Sequence, residues 1–179
     1  TAILEPRLNT QQLNLFGDGE YGRTPDSASL NVTTAATWEL WGNFYGVPAL
    51  DGDLIAKYDT AAATGSSFLI YKNDTNNADE IRVITVDTVA KFSTISGISD
   101  SVSQIAIIFN GGVLTAYQNG IALTVTGDVA TAINASSINI KLGASETNGV
   151  PGRFAALKIG SAKIYNRALT ADEVLTNYN

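Results

Sequence analysis

The stretch IAIIFNGGVLTAYQNGIAL, residues 105–123, contains three short apolar runs separated by two glycine-containing turns. Asn119-Gly120 supplies the two positive-φ positions of a type I′ hairpin turn, and Asn110-Gly111-Gly112 allows a similar reversal one strand earlier. This spacing predicts a three-stranded meander. In residues 105–109 both alternating faces are apolar, which predicts a strand that is covered on both sides, as inside a sandwich.

Turn signals at regular spacing divide the rest of the chain into short strand candidates, the pattern of an all-β sandwich. Strands are predicted at 13–16, 29–32, 37–41, 54–57, 68–71, 81–86, within 104–125, at 138–142 and at 154–165. Polar loops are predicted at 42–53, 61–67, 72–79, 93–103 and 144–152. One helix is predicted after Thr170, an N-cap whose partner Glu173 completes a capping box. We expect this helix to pack against the sheets and close the domain.

Composition limits the classes of function. The 179 residues, 45% of them hydrophobic, fit one sandwich-sized domain at 13–179 that follows a polar N-terminal arm or linker at 1–12. Cysteine, methionine and histidine are absent, which excludes disulfides, thiol nucleophiles, histidine metal sites and Ser-His catalysis. A net charge of −6 argues against binding to nucleic acid or to anionic membranes. No apolar run approaches a membrane-spanning length, and the start TAILEPRLN lacks the regions of a signal peptide.

Three segments carry a family resemblance: LNLFGDGEYGRTPDSASLN (13–31), the end of the meander, and SAKIYNRALTADEV (161–174). They resemble the laminin-G-like jelly-roll modules of the concanavalin A-like lectin and glucanase superfamily. The matching residues are Phe16, Gly17, Tyr21, Pro25, Asp26, Ser27, Ser29, Leu30, Tyr117, Asn119, Gly120, Ile164, Tyr165, Asn166, Arg167, Ala168 and Leu169. The resemblance implies an all-β, two-sheet β-sandwich of jelly-roll topology with a short C-terminal helix. It leaves function open, because this fold hosts lectins, hydrolases, adhesion modules and spacers.

The carboxylates do not fit the hydrolases of that superfamily. Those enzymes place two catalytic acids on one strand in a Glu-x-Asp-x-Glu pattern, so that both project from one face. The six glutamates of this chain are scattered, and none stands two residues from another acid on a predicted strand. We therefore expect no enzymatic activity. The remaining route to catalysis is a pair of acids brought together from separate loops.

No cofactor is required by the sequence, and calcium is the one that the resemblance suggests. Family members hold an ion with oxygens from the first turn and from an acidic pair before Ile-Tyr-Asn. In this chain Asp18 and Glu20 provide oxygen ligands in the first turn. The second half departs from the pattern, because Ile159-Gly160-Ser161 stands where the family shows Ile-Asp-Asp. The alternative is an ordinary solvated turn.

Flat aromatic rings flanked by carboxylates are typical of sugar-binding sites. On the predicted strand 37–41, Trp38 and Trp41 point to opposite faces, so one ring can lie in the core while the other is presented. The predicted ligand-binding residues are Trp41, Tyr45 and Tyr58, with Asp51, Asp53 and Asp59 around them. The alternative is that these aromatic residues only pack the sheets.

These observations favour a non-catalytic recognition or display module at an exposed surface. Glycan binding or adhesion is the leading hypothesis, with a glycan or cell-surface polysaccharide as partner and an extracellular, cell-surface or virion location. The alternative is a structural or decoration domain of a virion, such as a bacteriophage capsid or tail, which contacts other virion or surface proteins through the arm at 1–12. A hydrolase with rearranged acids is the third hypothesis.

Overall fold

Strands whose alternate residues are apolar build two packed antiparallel sheets in a computed structural model that describes residues 13–43, 52–72, 80–99 and 102–179. The strands are β1 (Leu13–Phe16), β2 (Gly22–Thr24), β3 (Ala35–Asn43), β4 (Gly52–Lys57), β5 (Phe68–Lys72), β6 (Glu80–Val86), β7 (Ala90–Ser96), β8 (Val102–Asn110), β9 (Val113–Gln118), β10 (Ile121–Ala122), β11 (Thr124–Gly127), β12 (Ile140–Leu142), β13 (Ser145–Thr147), β14 (Val150–Gly152) and β15 (Ala156–Tyr165). Helix α1 (Ala171–Tyr178) follows them. The predicted arm at 1–12 lies outside the described residues.

The six-stranded sheet has the order β1-β15-β3-β8-β9-β10, and the seven-stranded sheet has the order β11-β7-β6-β5-β4-β12-β2. Strands β13 and β14 form a separate hairpin. The main core lies between the two sheets, where Trp38 of β3 packs against Phe68 of β5 with ring centroids 4.7 Å apart. No helix in the described part of the chain is long and apolar enough to cross a membrane.

The predicted meander forms, with one modification at its end. Strands β8, β9 and β10 are consecutive neighbours, and the turn between β9 and β10 has Asn119 at φ 52° and Gly120 at φ 75°. These two positive values confirm the type I′ turn. The third run is divided, because β10 ends at Ala122 and β11 crosses to the edge of the seven-stranded sheet.

Strand β8 is covered on both sides, as its sequence predicts. Ile107 and Phe109 face the main core, whereas Ala106 and Ile108 contact Val174 of α1 in a second apolar cluster. The helix therefore covers the outer face of the six-stranded sheet. Its capping box is confirmed, because the Glu173 N–H donates to the Thr170 hydroxyl and the Thr170 N–H donates to the Glu173 carboxylate.

Three local predictions are wrong. The segment predicted as a strand at 29–32 begins inside a 3₁₀ turn, Ala28–Leu30, which the Leu30 N–H closes on the Ser27 carbonyl. Strand β7 begins before the predicted loop at 93–103 and extends into it. The predicted loop at 144–152 contains the β13–β14 hairpin, whose Asn148-Gly149 turn has φ 51° and 75°. Proline and glycine in β14 conceal that strand from propensity arguments.

Candidate functional site

The predicted ligand-binding residues do not form one platform. Trp41 lies on the outer face of the six-stranded sheet, where its ring stacks on Tyr178 of α1 at 5.8 Å with an interplanar angle of 10°. Asp53 and Tyr58 lie on the outer face of the seven-stranded sheet, because their neighbours Leu54, Ile55 and Lys57 point between the sheets. The whole sandwich therefore separates Trp41 from Tyr58. Tyr45 and Asp51 lie outside the described residues.

The first turn presents its two acidic residues to solvent. The carboxylate of Glu20 accepts a hydrogen bond from the Phe16 N–H at 2.9 Å, and Asp18 is exposed. Calcium takes six to eight oxygen ligands, yet no group of three acidic side chains assembles among the described residues. Calcium binding by Asp18 and Glu20 stays a prediction.

The outer face of the seven-stranded sheet carries two neighbouring rows of side chains. The polar row is formed by residues that are paired directly across five strands: Thr126, Thr94, Arg82, Tyr71 and Asp53. The apolar row is formed in the same way by Phe92, Ile84, Leu69 and Ala56, and Lys141 and Arg23 continue it. On β5, β6 and β7 the rows are two residues apart, which is about 7 Å. This face is therefore amphipathic.

Arg153 stands at the end of the polar row, and its position is fixed from two sides. Its Nε lies 3.1 and 3.0 Å from the two carboxylate oxygens of Asp53, which is completely buried. Its guanidinium carbon lies 5.3 Å from the centre of the Tyr71 ring, within the range of a cation–π contact. The Arg153 side chain is nevertheless 34% exposed. The buried carboxylate and the ring thus hold a cation at the surface.

The backbone of Arg153 is also unusual. Its φ is +54°, in the left-handed region that non-glycine residues seldom occupy. Such residues tend to occur at functional sites, where the surrounding structure compensates for the strain. The Asp53 N–H donates to the Arg153 carbonyl at 3.2 Å, so this segment is anchored to β4 by backbone as well as side chain.

Asp59 anchors the β13–β14 hairpin on this face. Its carboxylate accepts hydrogen bonds from the N–H groups of Ala61 at 2.9 Å, Asn148 at 3.0 Å and Gly149 at 3.1 Å. Burial acts to raise the pKa of Asp59, but these backbone hydrogen bonds outweigh it and hold the pKa below its ordinary value. Asp59 is therefore a positioning residue for the hairpin that directly precedes Arg153.

The remaining groups form the floor and wall of the site. Tyr58, Leu69, Tyr71 and Ile84 pack together and are almost completely buried, and burial raises the pKa of the Tyr58 hydroxyl. Lys141 forms an ion pair with Glu146 of the hairpin. Tyr58 thus supports the site from below and does not present its ring to solvent.

The sequence-based prediction included Asp53 but not Arg153, with which Asp53 is paired. Arg153 is separated from Asp53 by 100 residues, and no motif connects the two. The one available signal was Asn148-Gly149, whose tendency to form a type I′ turn would have indicated a hairpin just before Arg153.

Comparison with known families identifies the fold. The profile of the concanavalin A-like lectin/glucanases superfamily matches residues 16–175. The chain belongs to this superfamily. The resemblance stated from the sequence is thereby confirmed, together with the jelly-roll sandwich. No curated protein matches the chain by sequence.

Solved structures with the same fold include binding domains of several kinds. The CBM40 of the Ruminococcus gnavus IT-sialidase bound to alpha2,3 sialyllactose has a TM-score of 0.70 at 13% identity, over 94% of this chain and 98% of that chain. The receptor binding domain of botulinum neurotoxin mosaic serotype C/D has a TM-score of 0.69 at 12% identity, over 94% and 42%. The binding domain of Paraclostridial Mosquitocidal Protein 1 has a TM-score of 0.68 at 17% identity, over 94% and 43%. At these identities the likeness shows the fold alone.

Proposed function

We propose that this protein is a non-catalytic carbohydrate-binding module that holds an anionic glycan on the outer face of its seven-stranded sheet. The observation that carries the proposal is Arg153, whose guanidinium is held by buried Asp53 and by the Tyr71 ring while a third of the side chain stays exposed. A guanidinium held in a fixed orientation is well suited to a carboxylate, because its planar donors can form two parallel hydrogen bonds.

An acidic sugar is the ligand class that fits this charge distribution. Arg82 stands in the polar row beside Tyr71, so two arginines flank one ring on a chain whose net charge is −6. At long range the net negative charge repels an anionic glycan, but salt screens this repulsion, and recognition depends on these local cations. The CBM40 with the same fold is bound to sialyllactose, which ends in a carboxylated sugar, and this supports the choice of ligand.

Hydrogen-bonding groups near Arg153 match the hydroxyl edge of a sugar ring. Protein sites pair sugar hydroxyls with polar side chains, and Arg153 and Arg82 provide such donors on this face. The apolar side chains beside them, Ala56, Leu69 and Ile84, are only 1, 2 and 6% exposed, so they form the buried floor of the site and do not contact a ligand.

The carboxylates on this face argue against catalysis. A glycosidase needs one acid whose pKa is raised so that it can donate a proton. Asp53 is paired with Arg153, Glu146 is paired with Lys141, and the pKa of Asp59 is lowered. Asp53 and Glu146 are therefore engaged by cations, and the lowered pKa of Asp59 makes that carboxylate unsuited to donate a proton.

The proposal includes a location at an exposed surface, because anionic glycans are found there. The alternative of a virion structural domain depends on residues 1–12, which lie outside the described residues, and stays a prediction.

Titration calorimetry with sialyllactose, and with lactose as the neutral comparison, tests the proposal. We expect sialyllactose to bind with a Kd between millimolar and micromolar, about 4 to 8 kcal/mol, and lactose to bind much more weakly. Arg153→Lys keeps a positive charge beside Asp53 but loses the planar set of guanidinium donors. The affinity of this variant for sialyllactose should therefore fall at least tenfold. Arg167→Lys is the matched control, because Arg167 pairs with Glu173 at the distant C-terminal helix.

Two results would contradict the proposal. One is the absence of binding by the parent protein, both in calorimetry and on a multivalent array of acidic glycans, where avidity compensates for weak sites. The other is an Arg153→Lys variant that folds and binds sialyllactose like the parent.

A further inference from the structure

Phe92 occupies the exposed end of the apolar row. It lies on β7 between Lys91 and Ser93 and faces away from the core, and it pairs directly with Ile84 of β6. Ile84 is only 6% exposed, whereas Phe92 is 56% exposed. The side chains of the apolar row are therefore buried at Ile84 and exposed to solvent at Phe92. A single exposed apolar side chain is common on protein surfaces. The Phe92 ring therefore indicates a binding site only in combination with its neighbours.

Hydroxyl groups extend from this ring along the same face. Thr94 and Ser96 follow Phe92 at alternate positions of β7, and they pair with Thr126 and Thr124 of the edge strand β11. Both threonines of β11 are exposed. Within the described residues, none of these four hydroxyls makes a side-chain hydrogen bond to another part of the chain. Their donors and acceptors are available to a ligand.

The spacing suits one sugar unit beside another. Side chains two residues apart on a strand lie about 7 Å from each other, so a ring resting on Phe92 can direct its hydroxyls to Thr94 and Thr126. Arg82 is paired with Thr94, so this area adjoins the polar row. From Arg82 to Asp53 the polar row crosses two strand spacings, about 10 Å, which leaves separate room for a first sugar near Arg153.

We propose that Phe92, Thr94 and Thr126 form a second subsite, which binds the neutral sugar next to the acidic one, so that this face recognises an oligosaccharide. The inference rests on the proposed function, because it extends the same site. The acidic sugar is held near Arg153 and the apolar face of its neighbour lies against the Phe92 ring. Phe92 is then a specificity-determining residue that distinguishes an oligosaccharide from a single acidic sugar.

The experiment compares two probes, the methyl glycoside of sialic acid and sialyllactose. The parent should bind sialyllactose about tenfold more tightly, because only the longer ligand reaches Phe92. Phe92→Ala should remove this preference and leave the affinity for the methyl glycoside unchanged. Val113→Ala is the control, since Val113 is an equally exposed apolar residue, 59%, on the other sheet. Arg153→Lys should weaken binding of both probes to the same extent.

The outcomes separate the two proposals. If the parent binds neither probe, the proposed function fails and the subsite fails with it. If the parent binds both probes equally well, or if Phe92→Ala keeps the preference for sialyllactose, the glycan site stands and the second subsite is overturned. Circular dichroism must show that Phe92→Ala is folded. If it is not, the double variant Thr94→Val with Thr126→Val replaces it. This variant keeps the Phe92 ring and should also lose the preference for sialyllactose, and a double variant that keeps the preference would overturn the second subsite.

Discussion

At the scale of single residues, Trp38 and Trp41 of β3 have opposite roles. Trp38 is completely buried against Phe68, whereas Trp41 stacks on Tyr178 of α1. Trp38→Ala should therefore lower the free energy of unfolding by about 3 to 5 kcal/mol, through lost burial and the cavity left behind. Trp41→Ala should lower it by about 1 kcal/mol, because it removes one aromatic pair. Urea denaturation measures both values, and equal losses would contradict the assignment.

The indole nitrogen of Trp38 adds a second comparison. This buried N–H has no hydrogen-bond partner within the described structure, a state that is unfavourable in a core. Trp38→Phe removes the unpaired donor while it keeps an aromatic ring. We therefore expect Trp38→Phe to destabilise the protein clearly less than Trp38→Ala. A phenylalanine variant as unstable as the alanine variant would show that the volume of the indole decides the outcome.

Lys57 explains why the segment around Asp26 is part of the fold. Its side chain is completely buried, and its ammonium donates to Asp26 Oδ1 at 2.6 Å, Asn31 Oδ1 at 2.6 Å and the Leu30 carbonyl at 3.5 Å. Lys57→Met leaves these oxygens without their donor and should lower the free energy of unfolding by about 3 to 5 kcal/mol. Adding Asp26→Asn should recover part of that loss. A double-mutant cycle measures the coupling, and purely additive effects would contradict it.

At the scale of elements, Gly42 allows β3 and β15 to pair around a bulge. The register of this pair shifts between Ile159 and Ser161, and a Cβ built on Gly42 would lie 2.2 Å from the Lys158 carbonyl oxygen. Gly42→Ala should therefore destabilise the protein by about 1 to 3 kcal/mol, because a backbone atom cannot move aside easily. Gly160→Ala is the matched control, since its Cβ would meet nothing closer than 3.7 Å. The thermal midpoints of the two variants should differ clearly.

Helix α1 is held on the six-stranded sheet by a buried carboxylate. Glu39 is 1% exposed and accepts hydrogen bonds from Gln104 at 2.5 Å, from the Tyr165 hydroxyl at 3.1 Å and from Asn177 of the helix at 3.0 Å. All three donors are neutral. Burial, together with the nearby Glu39 charge, raises the pKa of Tyr165 to about 12. The helix is therefore attached through a network that requires a protonated tyrosine.

Alkaline pH should weaken this attachment. The pKa of Tyr165 is near 10 in the unfolded chain and about 12 in the folded protein, so its contribution to stability is complete below pH 10 and is lost as pH rises toward 12. Tyr165→Phe should destabilise the protein at pH 8, and its disadvantage should shrink between pH 10 and 12. Tyr58, whose pKa is also raised, is present in both proteins and cancels in the difference. A disadvantage that stays constant with pH would contradict the prediction.

At the scale of the whole molecule, the sequence predicts those features that local chemistry determines. The turn at Asn119-Gly120, the capping box at Thr170 and the opposite faces of Trp38 and Trp41 each follow from residues within a few positions of one another. The crossover after Ala122 is different, because it depends on how the two sheets close against each other.

The candidate site could not be predicted in the same way. Its central contact joins Asp53 of β4 to Arg153, which follows a hairpin hidden in a loop-like segment. The polar row becomes visible only when β4, β5, β6, β7 and β11 are placed side by side, since neighbours in that row are distant in sequence. The sequence singles out aromatic residues and carboxylates as candidates for ligand binding, whereas sheet topology decides which of these residues share a face.

Ligand binding should stabilise the entire sandwich, because the site joins the hairpin to the seven-stranded sheet through Asp59 and Asp53. At ten times its Kd, sialyllactose adds about 1.4 kcal/mol through linkage. In a chain of this size, that energy raises the melting temperature by roughly 3 to 6 °C. Hydrogen exchange should slow in β13–β14 and β5–β7, whereas α1, on the opposite side of the sandwich, should exchange as before. Equal stabilisation by lactose, or protection confined to α1, would place the glycan elsewhere, and a shift retained by Arg153→Lys would remove that residue from the site.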